Sequence, residues 1–225
     1  MRSLATNMDE SKKARLISAT ERSFARKRDN WRAVQRLWQP HVDRGDVDAK
    51  VCLAHLILWY MSAPDCVNKQ MRAYLRDAAQ SGHANALYWT TRYGEKEGQE
   101  AYELLLRAGQ MGSRGSQRDL GALYATGDWA GPRDTARAVY WYRLAAERGH
   151  DDAQYNLGIM YLSGEGTDPS REDGLSWLNR AATQGDSQSR RVLAEIYRNG
   201  YYGVPKSIEE TKRWEHLQYV AELKT

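Results

Sequence analysis

A fixed spacing recurs along this chain and limits what it can fold into. From Gly149, Leu157-Gly158 lie eight and nine residues on, followed by Tyr161, Gly164, Trp177, Ala181-Ala182 and a new Gly185. From Gly185 the same offsets reach Leu193-Ala194, Tyr197, Gly200 and Trp214. From Gly112 they reach Leu120-Gly121, Tyr124, Gly127, Trp141 and Ala145-Ala146. Each period of 36–37 residues carries two helical patterns. Such a unit is too small to close a core alone, so it must stack on its neighbours. The expectation is an all-α, right-handed α-solenoid of helix-turn-helix units. Its function is then sought on an extended surface, not in a pocket.

The pattern reaches back to Gly45, with Ala49, Leu53-Ala54, Ile57, Ala78-Ala79 and Gly82 in register. The unit from Gly82 to Gly112 is shorter, and the missing residues fall near GEKEG at 94–98, where a local change of curvature is expected. Helices are expected over 9–28 and 31–43, then as A helices over 115–126, 152–163 and 187–198. Their B partners are expected over 134–148, 171–184 and 207–223. The organisation is one continuous domain, with a basic helical pair at 1–44, repeats over 45–205 and a capping helix over 206–225.

The offset nine residues from the leading glycine is occupied by Ala54, Thr91, Gly121, Gly158 and Ala194. All are small and all fall mid-helix, where glycine costs about 1 kcal/mol relative to alanine. A small residue there lets the partner helix cross closely. Leu at +8 and Tyr or Ile at +12 share a face and fill the space around that crossing. The glycine closing each B helix suits a left-handed C′ cap. His83 and His150 follow such glycines and are read as cap residues.

Composition narrows the function. Residues 1–36 hold ten Lys/Arg and four Asp/Glu, a net of +6, so the remainder of this +4 chain sums to −2. A basic first helix is compatible with an anionic partner, but its charges are not interleaved with aromatics and no nucleic-acid-binding motif accompanies them. A solvated face is the simpler reading, and nucleic acid is not an expected partner. The longest apolar run, Val51–Met61, is eleven residues and too short to span a bilayer. No secretory signal pattern is visible at the N-terminus, so the chain reads as cytoplasmic, or as periplasmic if a leader was removed. Cys52 and Cys66 fall in one repeat; a bridge between its helices is conceivable, but reduced thiols are expected in the cytosol. The five histidines (41, 55, 83, 150, 216) show no metal-ligand spacing. No catalytic motif of the metalloprotease, serine hydrolase, thiol redox or P-loop type occurs. Gly164–Asp168 lacks the strand or ligand ladder that a phosphate or calcium loop needs. No catalytic residue, metal or cofactor is expected.

The motif A-x-x-x-L-G-x-x-Y-x-x-G, a loop, then A-x-x-W-x-x-x-A-A-x-x-G resembles the Sel1-like repeat, a relative of the tetratricopeptide repeat. Ala153, Leu157, Gly158, Tyr161, Gly164, Trp177, Ala181, Ala182 and Gly185 carry it, as do Ala138, Trp141, Ala145, Ala146 and Gly149 in the preceding unit. The match is strong over 112–200, fair over 45–111 and weak elsewhere. The resemblance implies non-catalytic protein recognition: adaptors, virulence and envelope assembly factors, and immunity proteins that neutralise a toxin delivered by type VI secretion. A cysteine-rich branch has a Cys pair in every repeat and is linked to β-lactamase-like binding; cysteines in one repeat only do not fit it. The rivals are a scaffold for an envelope, virulence or signalling complex, a penicillin-binding or β-lactamase-like enzyme, and a nucleic-acid binder using the basic N-terminus.

By analogy with tetratricopeptide arrays, helix A lines a concave face. The positions flanking its core points are Val51, His55 and Trp59; Tyr88 and Arg92; Arg118 and Ala122; Tyr155 and Ile159; and Arg191, Glu195 and Arg198. Aromatics and arginines anchor interfaces well. Such a stripe suits an acidic surface or segment of a protein partner. Trp129, Tyr201 and Tyr202 are candidate rim contacts.

Overall fold

The computed structural model describes residues 16, 31–60, 63–93, 98–127 and 131–222, without the side chains of residues 59, 60 and 222. Apart from Leu16, which is helical and packs against the first unit's core, the helix expected over 9–28 lies outside the described residues, as do the loop at 94–97, Trp129 and the side chain of Trp59. Among the described residues there are eleven α-helices and no strand. They are α1 (Trp31–Asp43), α2 (Val47–Tyr60), α3 (Asp65–Gln80), α4 (Ala84–Arg92), α5 (Gly98–Gln110), α6 (Arg114–Thr126), α7 (Thr135–Glu147), α8 (Asp151–Ser163), α9 (Arg171–Gln184), α10 (Ser187–Asn199) and α11 (Ile208–Glu222). A single 3₁₀ turn, Tyr201–Gly203, joins the last two. From α6 onward the boundaries fall within one residue of those read from the spacing. The chain forms two compact units, Met1–Ala108 and Gly109–Thr225.

In the first unit α2 packs between α1 and α3, and α4 packs on α3. Trp38, Leu53, Ala54, Ile57, Met71 and Leu75 form its buried centre. Cys52 is half-buried and Cys66 exposed, and both thiols are free.

The second unit is a pile of three helical hairpins, α6/α7, α8/α9 and α10/α11, with α7 on α8 and α9 on α10. The glycines that close its B helices take the left-handed conformation, with φ +81° at Gly149 and +111° at Gly185. Three A helices then begin on a side chain that caps a free backbone N–H. Ser113 accepts from Ser116 N, Asp186 accepts from Ser189 N, and in the first unit His83 Nδ1 accepts from Ala86 N. His83 Nε2 completes that cap by lying 2.7 Å from Asp48 Oδ1. His150 occupies the same cap position but makes no side-chain cap bond.

Small residues at +9 do what the spacing requires. A Cβ on Gly121 would lie 2.6 Å from the Tyr142 ring, and one on Gly158 would lie 2.8 Å from Leu178 Cγ and 3.0 Å from the Gly174 carbonyl oxygen. Gly166, in the loop considered above for phosphate or calcium, has a packing explanation. A Cβ there would lie 2.3 Å from the Thr135 carbonyl oxygen.

One recurring contact is absent from the motif. The residue at +5 donates to the carbonyl four residues before the A-helix cap: Gln117 Nε2 to Gly109 O at 2.9 Å, Gln154 Nε2 to Ala146 O at 3.0 Å, and Arg190 Nε to Ala182 O at 2.9 Å. Each of these carbonyls also accepts the N–H of the glycine three residues on, Gly112, Gly149 or Gly185, and the side chain adds a second donor that ties each hairpin to the next. Gln, Gln and Arg share a donor and not an identity, so residue matching passes over them.

Candidate functional site

On the first unit, α2 and α4 present an aromatic tray. The His55 ring stacks on Trp89, with centroids 3.7 Å apart and planes at 18°. Its Nδ1 lies 3.2 Å from the Tyr93 hydroxyl, which also donates to the His55 carbonyl at 3.3 Å. That geometry suits a neutral ring whose Nδ1–H donates to the hydroxyl oxygen. Burial lowers the pKa of His55 from 6.5 to about 4. The spacing nominated Val51 and Tyr88 for this surface, but both are buried, Tyr88 being only 6% exposed. Trp89, 4.6 Å from the Tyr88 ring, covers it and takes the outward place. Arg92 is exposed beside the tray.

Neutral His55 sets an expected pH dependence. The unfolded chain takes up a proton near 6.5, whereas the folded ring takes one up only near pH 4. Stability therefore falls as pH drops through that window and levels off below it. Chemical denaturation from pH 7 to 4, with His55→Gln as the control, should show the slope reduced in the variant. Equal slopes would remove His55 as its source.

On the second unit the nominated residues fall on three successive A helices. Arg118 of α6 is half-buried and committed: Nη1 lies 2.8 Å from Asp119 Oδ1, and Nε 3.7 Å from Asp152 Oδ2. Ala122, one turn on, is half-buried. Tyr155 and Ile159 of α8 are half-buried against the core that contains Leu178, Leu193 and Trp214. Burial raises the Tyr155 pKa, and Arg191 nearby opposes that shift. Arg191, Glu195 and Arg198 of α10 are exposed. Arg198 pairs with Glu215 of α11. These α10 residues edge a cleft of about 520 Å³ between α10 and α11, which Trp214 and Tyr219 also line. Tyr201 and Tyr202 are 54% and 46% exposed in the turn above. Tyr202 holds φ at +55°, a conformation that non-glycine residues rarely adopt.

Among the described residues no three His, Cys, Asp or Glu side chains converge as metal ligands would, and no described helix is long and apolar enough to cross a membrane. Stacked hairpins with an outward row of arginines and aromatics define a class, the helical repeat proteins that recognise other proteins along a surface. The Sel1 repeat profile matches residues 84–113, 115–150, 151–186 and 187–214, more than half of the chain, and the chain belongs to the Sel1 repeat family. Sel1 repeats mediate protein–protein interaction. Among solved structures, a Sel1 repeat protein from Oxalobacter formigenes is 26% identical, with a TM-score of 0.70 over 85% of this chain and 80% of that one. An immunity protein from Pseudomonas aeruginosa is 16% identical, with a TM-score of 0.64 over 98% of this chain and 86% of that one, a likeness of fold alone. A chitin synthase regulator from Malassezia restricta is 32% identical over 114 residues, half of this chain. The chain spans only 8% of that regulator's length.

Proposed function

We propose that this chain is a non-enzymatic binding module whose partner is a protein with an acidic surface or segment, taken up along the outward A-helix residues. The observation that carries this reading is the exposed set Arg191, Glu195 and Arg198 on α10 beside half-buried Tyr155 and Ile159 on α8. Arginine offers planar, bidentate donors and tyrosine a large rigid contact, a combination enriched where interfaces are anchored. The concrete form of the proposal is an immunity protein that neutralises a cognate type VI secretion toxin. Its support is a fold shared over nearly the whole of both chains with the Pseudomonas immunity protein. A second reading, a regulatory adaptor within a larger assembly, is favoured by the 32% identity to the chitin synthase regulator.

The test is co-purification with the product of the adjacent gene, followed by growth rescue against that product. Rescue supports immunity; binding without rescue supports the adaptor; neither outcome removes the pairing with that neighbour. With a partner in hand, Arg191→Glu on the second unit and, separately, Arg92→Glu on the first should each weaken binding by roughly tenfold or more while helical circular dichroism is retained. Unaltered affinity would count against this surface.

A further inference from the structure

Within the second unit the face that each hairpin offers to the next can be compared position by position. On α8 it is Tyr155, Gly158, Ile159 and Leu162, and the aromatic and aliphatic members pack on the core that α10 completes. On α9 its partners are Leu178, Ala181 and Ala182, all fully buried. At the same positions α10 carries Arg191, Ala194, Glu195 and Arg198, and α11 carries Glu215, Gln218 and Tyr219. The place where a further A helix would lie is thus the α10/α11 cleft, relined with charge.

The charges on this face differ in their commitments. Arg190 donates to the carbonyls of Ala182 and Leu217, and Arg198 pairs with Glu215. Arg191 and Glu195 have no ion pair and no side-chain hydrogen bond among the described residues, and both are exposed one turn apart on α10. An unpaired positive and negative charge at i and i+4 is the complement of itself when two such helices run antiparallel.

We propose that this face is a self-association surface, α10 against α10 of a second copy across a two-fold axis. Arg191 then faces Glu195 of the second copy, and Glu195 faces its Arg191, so one contact is made twice, as two-fold symmetry requires. The same register sets Arg198 opposite Gln188 of the second copy; Gln188 also lines the cleft. Ala194, between the two charges, is buried beneath them, so the exposed Gln188, Arg191, Glu195 and Arg198 carry the contact. Tyr219, 60% exposed, adds apolar area at the edge. The pairing engages Arg191 and Glu195, so on this face a second copy and the acidic partner proposed above compete for the same side chains.

Sedimentation velocity of the whole chain over a concentration series tests the pairing without any other partner, so a failed search for a toxin leaves it standing. The expected result is a concentration-dependent dimer that weakens as salt rises, because exposed charges are screened. Arg191→Glu alone and Glu195→Arg alone should each weaken the dimer by roughly tenfold or more, since symmetry brings like charges together at both contacts. The double swap R191E/E195R should restore it, as should mixing the two single variants. Melting curves matching the parent would show that the variants fold. A monomer at every concentration, a dimer indifferent to the single changes, or a swap that fails to rescue would each overturn the proposal.

Discussion

Trp214→Ala is expected to destabilise the second unit by about 3–5 kcal/mol, the range for deleting a large buried aromatic. Trp214 is fully buried and joins α11 to the core built from Leu178, Leu193 and Ile196. It anchors the α10/α11 hairpin, which packs on α9. In a stack held by nearest-neighbour contacts, the loss should appear first as opening of α11 and then as a lower global midpoint. Its Nε1–H is buried without an acceptor. Trp214→Phe therefore removes area but no hydrogen bond, and should cost clearly less than the alanine change. Urea denaturation measures both, and hydrogen exchange locates the opening. A loss below about 1 kcal/mol for Trp214→Ala would mean that α11 is not held by this residue.

Gly158→Val should be the second large effect, with a loss of about 3 kcal/mol at the upper end of the overpacking range. At this crossing α8 and α9 meet through two glycines. A Cβ on Gly158 would lie 3.0 Å from the Gly174 carbonyl oxygen, and a Cβ on Gly174 would lie 2.9 Å from the Gly158 carbonyl oxygen and 2.6 Å from Leu162 Cγ. The Leu178 side chain can shift, but the backbone oxygen cannot shift without moving α9. Gly158→Ala sets the sign more narrowly. It gains about 1 kcal/mol of helix propensity and loses about 1–3 kcal/mol to crowding, for a smaller net loss. Thermal unfolding of both variants tests the ordering; an alanine variant more stable than the parent would show that the hairpin relaxes at no cost.

The repeat made much of this fold legible in advance. Gly112, Gly149 and Gly185, the Ala-Ala pairs and the small residues at +9 recur at constant offsets, and each does the same local task wherever it recurs. A helix boundary or a hairpin crossing depends on residues within one period, which is why α6 to α11 begin and end where the spacing puts them. Gly121 under the Tyr142 ring and Gly158 under Leu178 were readable for that reason.

The candidate surface was less legible. Offset counting could not tell that Tyr88 is buried while Trp89 stacks on His55, because that choice depends on which aromatic rings meet across α2 and α4. The +5 clasp leaves no signature in residue identity because a hydrogen bond selects a donor, and Gln117, Gln154 and Arg190 supply one with different side chains. By spacing Arg191 and Glu195 are two more members of a stripe; what sets them apart is that their counterparts Tyr155 and Ile159 pack against the neighbouring core. Taken alone, then, the order of residues determined the unit, its helices and the closeness of their crossings, since these are set by short-range periodic contacts. Which side chains meet solvent, and with what charge left unpaired, was decided by tertiary packing, because exposure belongs to the neighbour that covers a residue and not to the residue itself.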